Sequence, residues 1–393
     1  MNNLEKGIEV LKLIESYGYE AYIIGGAVRD HILGVVSNDV DICTNASIEE
    51  LSKMFSNIIY NGNKYLSVTI RVDNFDFEVT HFRRDISYEN HRHPVVETTD
   101  SLEEDMVRRD FTMNAIALNS SLEYIDLYAG QKDIEAGIIK AIGNPDIRFD
   151  EDVLRILRAC YFAGKLGFAI DADTLEGMIN NKIHLRELSN QRLFDMAIKI
   201  IYARYDYGTK YIKDNNLLEY CPVYKRLFDI ANKAYTIEEL LSIYYHKYKE
   251  YPVEFPQIYS NIVYAVEEIV SSNFNNYAMY KNQNYFNTAF TISKLLGVNA
   301  HDAVMKYYNL VIKDDSELAV SKFEISKHFK GRNISYAIKD IIVAILDKKI
   351  ENTKEAIETK IKELVSKYEG VNDSLHWCFS NHHYFNWQVN RAY

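Results

Sequence analysis

Proline is scarce, at five copies, and the chain carries no internal repeat and no low-complexity tract. Tyrosine runs the other way, at 31 copies; the pair reads mainly as a genome-composition bias, with some tyrosines available to stack on RNA bases. Four cysteines, Cys43, Cys160, Cys221 and Cys378, are scattered without C-x-x-C spacing. That excludes a disulfide frame or a zinc site and predicts reduced, mostly buried thiols of a cytoplasmic protein. No apolar run approaches twenty residues, and the opening MNNLEKGIEVLKLIESYGYE is no charged-then-apolar leader, so neither export nor a membrane span is expected. It reads as an amphipathic helix with Leu4, Ile8 and Leu11 on one face, closed by Gly18. Positive charge is not in excess either: the formal net charge is −11. This excludes a protein that coats nucleic acid by bulk electrostatics and leaves room for a local groove of clustered Lys and Arg. With 47% hydrophobic and 26% charged residues over 393 positions, the chain is an ordinary globular protein of roughly two to three domains.

The informative residues come early. Ile23-Ile24-Gly25-Gly26-Ala27-Val28-Arg29-Asp30 reads as a strand, a tight glycine turn and an arginine-bearing helix start, and Asp39-Val40-Asp41 follows nine residues after Asp30. Side chains alternate across a strand, so Asp39 and Asp41 point one way while Val40 and Ile42 point into a core. Two carboxylates forced together repel unless a cation sits between them. Magnesium suits such a pair, because it takes one or two carboxylates plus phosphate oxygens. Gly25 and Gly26 let backbone approach phosphate closely, with helical N–H groups behind them.

To about residue 140 short strands alternate with helices. Leu66, Val68, Ile70 and Val72 alternate, as do Phe75, Phe77 and Val79, which predicts a hairpin around Asp73-Asn74. Glu78 falls on the opposite strand face from Phe77 and Val79 and is a candidate third acidic member. Asn144-Pro145-Asp146 marks a joint, since the residue before proline is pushed out of helical geometry. Beyond it the pattern is nearly continuous helix, with helical apolar spacing over 236–247, 259–271, 334–350 and 353–368. In Glu151 to Tyr161, positions 152, 155, 158 and 161 fall three apart and predict one slanted polar stripe on an apolar helix.

The segments GGAVRD at 25–30, DVD at 39–41, RRDFTMNA at 108–115 and EDVLRILRA at 151–159 resemble successive motifs of the class II tRNA nucleotidyltransferases and their poly(A) polymerase relatives. EVTHFRRD at 78–85 and SLEEDMVRRDFTMNAIAL at 101–118 are similar to compact bacterial CCA-adding enzymes. The likeness covers about the first 200 residues. It implies an α+β protein: a DNA polymerase beta-like nucleotidyltransferase head with a mixed sheet over 1–140, a helical neck over 141–205, and a helical, tRNA-binding body and tail over 206–393. It implies untemplated addition of C, C and A to the tRNA 3′ end from CTP and ATP, with pyrophosphate released and Mg2+ held by Asp39 and Asp41. Phosphate contacts would come from Gly26, Arg29, Arg109 and Arg158, and the nucleobase would be read by Asp152 and Arg155. Cytosine and adenine both offer an amino donor beside a ring-nitrogen acceptor, which a carboxylate and a guanidinium match; uracil and guanine offer the reverse. The same motifs serve A-adding, CC-adding and poly(A)-adding relatives, and a non-catalytic RNA- or nucleotide-binding protein could retain the fold.

The chain departs from the family at Tyr161, where a further arginine is usual, at Gln191 and Met196, where a Glu-Arg and a second Glu are usual, and at Asn63-Lys64-Tyr65-Leu66, where a glycine turn is usual. His301-Asp302 resembles a phosphohydrolase motif, but His246 is too distant to complete it. His91-Arg92-His93 and His382-His383 lack supporting ligands for a metal site. Lys322, Lys327, Lys330 and Arg332 form the best basic cluster of the tail, a candidate tRNA phosphate contact.

Overall fold

In the computed structural model, α1 (Asn3–Ser16) leads into β1 (Ala21–Ile24), α2 (Gly26–Ile32), β2 (Asp41–Thr44), α3 (Ile48–Met54) and β3 (Ile58–Tyr60). Then come the hairpins β4 (Ser67–Val72) with β5 (Phe75–His81) and β6 (Arg83–Glu89) with β7 (His93–Thr98). The helix α4 (Leu102–Val107), strands β8 (Ile116–Leu118) and β9 (Tyr124–Asp126), and α5 (Gly130–Ala136) complete this part. The structure describes residues 2–60, 67–89, 93–231, 236–254, 257–298 and 300–369. Asn63-Lys64-Tyr65-Leu66, His91-Arg92, Cys378 and His382-His383 lie outside them.

Seven strands form one mixed sheet in the order β3-β4-β5-β2-β1-β8-β9, with β2 and β5 parallel. The hairpin expected around Asp73-Asn74 is β4 and β5, paired antiparallel down to Val72 and Phe75. Asp73 sits at φ 55° in its turn. On one sheet face Ile23, Val40, Ile42, Phe77 and Val79 are buried, and α1 packs there. A Cβ on Gly7 would stand only 3.1 Å from Ile23 and 3.2 Å from Val40, so the bare backbone sets how closely the helix approaches. The buried face of α1 is Gly7, Val10, Leu11 and Ile14; Leu4 and Ile8, expected on it, flank it half-buried. The opposite sheet face carries a smaller cluster of Ile24, Cys43, Phe82, Met106 and Ala117, covered by α4.

Beyond β10 (Ile138–Ile139), Asn144 accepts hydrogen bonds from Asp146 and Ile147 N–H groups at 2.9 and 3.4 Å, with Pro145 in the first helical turn. This cap starts α6 (Pro145–Glu151), which is followed by α7 (Leu154–Leu166). Helix is not quite continuous: β11 (Ala169–Ile170) pairs with β10. The backbone at Gly208 lies against α7, where a Cβ would meet the Cys160 carbonyl at 2.3 Å.

The chain divides into two compact units, residues 1–232 with 252–254, and residues 233–251 with 255–393. The expected head and neck, bounded at 140 and 205, both lie in the first. The second is helical. Ile237–Tyr248, Gln257–Ser271, Asn333–Leu346 and Lys354–Glu369 coincide with the four stretches of helical apolar spacing. In its basic cluster, Lys322 is paired with Asp315 at 2.6 Å, and the Lys327 ammonium lies 4.6 Å over the Phe323 ring. Cys43, Cys160 and Cys221 are free and buried. No helix among the described residues is long and apolar enough to cross a membrane.

Candidate active site

The turn between β1 and α2 is built by Gly25 at φ 81°, ψ −132°, a conformation side chains rarely adopt. It also leaves room. A Cβ there would sit 3.3 Å from Arg109 Nη1 and 4.0 Å from Asp41 Oδ2, so the turn, an arginine and a carboxylate meet at one point.

Strand β2 begins at Asp41, two residues later than a strand carrying Asp39 would, and Asp39 lies in the loop before it. The alternation survives the change: Val40 and Ile42 are buried at 2% and 1% exposure, while Asp39 is exposed and Asp41 half-buried. On the parallel neighbour, Glu78 pairs in register with Asp41 and is exposed between buried Phe77 and Val79. Burial, then the charges of Asp39 and Glu78, push the Asp41 carboxyl up to about 6, against the pull of Arg109. The edge therefore holds more negative charge than the protein balances. Among the described residues no group of three His, Cys, Asp or Glu side chains is placed to hold a metal ion. The available donor set is a pair of hard oxygens with a third carboxylate alongside.

Each arginine of the site has an acceptor inside the protein. Asp105, 0% exposed, accepts from Arg108 Nη2 at 2.6 Å and from Arg109 Nη2 at 3.0 Å. Burial favours the neutral acid, but the two guanidinium groups outweigh it and hold its carboxyl below the usual range. Asp110 accepts from Arg158 Nε at 2.7 Å and from Asn114 Nδ2 at 3.0 Å. Asn114 Oδ1 accepts from Arg29 Nη1 at 2.7 Å, and Arg29 Nε and Nη2 bind Asp30 at 2.9 and 2.6 Å. The result is a continuous polar chain, Asp30–Arg29–Asn114–Asp110–Arg158, joining α2 to α7. Phe162 lies between its two arginines, 5.2 Å from Arg29 and 5.3 Å from Arg158.

Arg29, expected to contact phosphate, lies behind the turn in this structure. It is 2% exposed, and its guanidinium is held by Asp30 and Asn114. Arg109 and Arg158 keep 19% and 40% of their side chains exposed.

The neck also differs from the single helix expected over 151–161. Asp152 is extended at φ −142°, ψ 96°, ending α6, and its carboxylate accepts the Leu154 N–H at 3.1 Å, helping to start α7. An aspartate that hydrogen-bonds nearby backbone competes with helix, which is why the stripe breaks at its first member. Arg155 is 6% exposed. Its Nη2 donates to the Arg108 carbonyl at 2.8 Å and to the Tyr88 hydroxyl at 3.4 Å. Its Nη1 donates to the Arg148 carbonyl at 3.1 Å and to Glu151 at 3.3 Å. Arg148 in turn holds the Val107 and Arg109 carbonyls at 2.7 and 3.1 Å. The carbonyls at the C-terminal end of α4 are thus capped by two neck arginines.

Asp30, Asp105, Asp110, Asn114, Arg148 and Tyr88 were not singled out by the sequence reading. Asp30 and Asp110 each follow an arginine inside the motif segments, and that alternation of charge was the available signal; the other four gave none. Of the departures, Met196 is buried at 6% exposure, so its position is apolar as well as uncharged. Gln191 bonds Asp195 on its own helix at 3.0 Å.

Residues 21–140 match the family model described as the poly(A) polymerase head domain, and the sheet, turn and carboxylate edge define a nucleotidyltransferase head. The chain is 30% identical to the CCA-adding enzyme of Ligilactobacillus salivarius, covering 92% of this chain and 98% of that protein. It is likewise 30% identical to that of Pediococcus pentosaceus, covering 90% and 96%. The crystal structure of the Bacillus stearothermophilus CCA-adding enzyme in complex with CTP superposes with a TM-score of 0.74 at 26% identity, over 94% of this chain and 99% of that one. This chain belongs to the CCA-adding enzyme family. It is a tRNA nucleotidyltransferase, of a family that generally uses divalent metals.

Proposed function

We propose that Asp39 and Asp41 hold magnesium for the nucleotidyl transfer by which this CCA-adding enzyme extends the 3′ end of tRNA with C, C and A from CTP and ATP. The observation that carries the assignment is the unbalanced acidic edge, with Asp41 pushed up to about 6 beside a glycine turn and Arg109. Two carboxylates suit magnesium, which completes its shell with phosphate and water oxygens. Bound there, the metal supplies a Lewis acid toward the α-phosphate and the attacking 3′-oxygen. Glu78 adds negative charge alongside.

Each of the other residues has a separate task. Arg109 and Arg158 donate to phosphate from guanidinium groups already oriented by Asp105 and Asp110. The Gly25-Gly26 backbone gives the triphosphate its close approach, and Arg29 holds that turn from behind. Asp152 and Arg155 read the base, a carboxylate accepting from its amino group and a guanidinium donating to its ring nitrogen. Arg155 exchanges the long bond to Tyr88 for the base, while the Arg108 carbonyl keeps the guanidinium oriented. Mismatched U or G leaves polar groups unpaired at roughly 1–3 kcal/mol each.

The test supplies tRNAs ending at the discriminator base, at C and at CC, with each nucleotide singly and CTP with ATP together. Growth that halts after CCA is expected. An unlimited A tail, addition of A alone or of CC alone would contradict the reading, and Asp39→Ala with Asp41→Ala leaving addition intact would overturn the metal assignment.

A further inference from the structure

Tyr161 removes a positive charge from a helix face that the family usually furnishes with arginine, and its ring packs on Phe162, centroids 5.1 Å apart. The same face of α7 carries another cation. Arg158, Tyr161 and Lys165 stand at i, i+3 and i+7, along one side of the helix. Lys165 Nζ lies 4.0 Å from Asp30 Oδ2, while Asp30 Oδ1 is taken by Arg29 at 2.6 Å. Asp30 therefore holds this ammonium loosely, and 40% of the lysine side chain is exposed. Its charge is also felt across the site. Burial, with Arg29, lowers the Lys165 pKa against the opposing pull of Asp30 and Asp39.

We propose that Lys165 is a nucleotide-binding residue of this enzyme, contacting the non-transferred phosphates of the incoming triphosphate in place of the arginine missing at Tyr161. The proposal rests on the nucleotidyl-transfer reading of the same site. An ammonium is a compact point charge with three donors and no plane, suited to phosphate oxygens and poorly suited to discriminating base edges. Arg158, assigned to phosphate above, stands seven residues before Lys165 on the same side of α7, and the triphosphate draws the ammonium away from Asp30, which retains Arg29. The contact is blind to the base and serves CTP and ATP equally.

The test compares Lys165→Met, Lys165→Gln, Lys165→Arg and the double variant Lys165→Met with Tyr161→Arg against the parent enzyme. Dissociation constants for CTP, ATP and CMP are measured in magnesium by equilibrium dialysis, and KM and kcat by single-nucleotide extension. Loss of one charge-assisted contact weakens CTP and ATP about tenfold, leaves CMP unchanged and moves kcat little. Lys165→Arg retains affinity, and Tyr161→Arg restores it to Lys165→Met. An unchanged ratio of CTP to CMP affinity in folded Lys165→Met and Lys165→Gln overturns the proposal, assigning Lys165 to Asp30 alone. So does an effect confined to one nucleotide or to tRNA. A parent enzyme that neither prefers CTP over CMP nor extends any tRNA would strike the transfer reading itself, and this inference with it.

Discussion

The acidic edge and the arginine cluster meet at Gly25, one on each side, yet they are balanced differently. On the arginine side every guanidinium has an acceptor inside the protein: Asp105 serves Arg108 and Arg109, Asp110 serves Arg158, and Asp30 with Asn114 serves Arg29. On the acidic side Asp39, Asp41 and Glu78 repel one another with Arg109 as the opposing charge. A group matched in advance holds its geometry without ligand, whereas a group left in surplus is completed by one. On the proposed reading, the contrast separates residues that orient the nucleotide from residues that hold its metal.

The largest break comes at the acidic side. Replacing Asp39 and Asp41 together with alanine removes several kcal/mol of transition-state stabilisation, so incorporation falls by about a thousandfold or more. Single-turnover addition of C to a tRNA ending at the discriminator base measures it, and circular dichroism should show the fold intact. The arginine side breaks in stability. Asp105→Ala strands two guanidinium groups around a buried site and destabilises the protein by about 3–5 kcal/mol, read from a urea transition. A shift under 1 kcal/mol would mean that the arginines do not depend on their internal partner.

Much of the acidic side was legible because strand alternation constrains it. Val40 and Ile42 inward fix Asp39 and Asp41 outward even though the strand begins at Asp41, and the same period places Glu78 outward on β5. What pairs β2 with β5 in parallel register is long-range and left no local trace. The arginine side was legible as motifs but not as geometry. Nothing in the spacing of Arg29 and Arg155 says that both are buried, since burial depends on Asn114, Tyr88 and the end of α4, each far away in sequence. The break at Asp152 was hidden for another reason: helical periodicity and a local Asx cap compete at that residue, and the cap wins. In the helical half, apolar spacing located the helices, but periodicity carries no information about which of their surfaces meets a partner.

A smaller effect of opposite sign sharpens the contrast. The Asp41 carboxyl is raised from 3.8 to about 6 in the folded protein. The stability this gives is fully present below the unfolded value and is lost as pH rises through about 6. At pH 8 the ionised group costs roughly 2–3 kcal/mol. Without metal, Asp41→Asn should therefore unfold at higher urea than the parent at pH 8, with the difference vanishing near pH 4 and shrinking when magnesium is added to the parent. Equal midpoints at pH 8 would show that the edge is already balanced.

The smallest effect isolates what makes the arginine cluster strong. Arg71 and Asp76, on the β4–β5 hairpin, form a two-pronged fork, Nε and Nη2 each 2.6 Å from a separate carboxylate oxygen, a geometry at least as good as that of the buried pairs. Both side chains are nearly half exposed, at 46% and 47%. If geometry alone set the strength of these pairs, Arg71→Gln would resemble the loss of Asp105. If burial sets it, water replaces the partner and salt screens what remains. We expect Arg71→Gln to leave the urea midpoint unchanged within error, at low and at high salt, while nucleotide addition proceeds at the parent rate. A clear loss of stability at low salt alone would assign the exposed fork a real electrostatic share and narrow the difference between surface pairs and those surrounding Asp105 and Asp110.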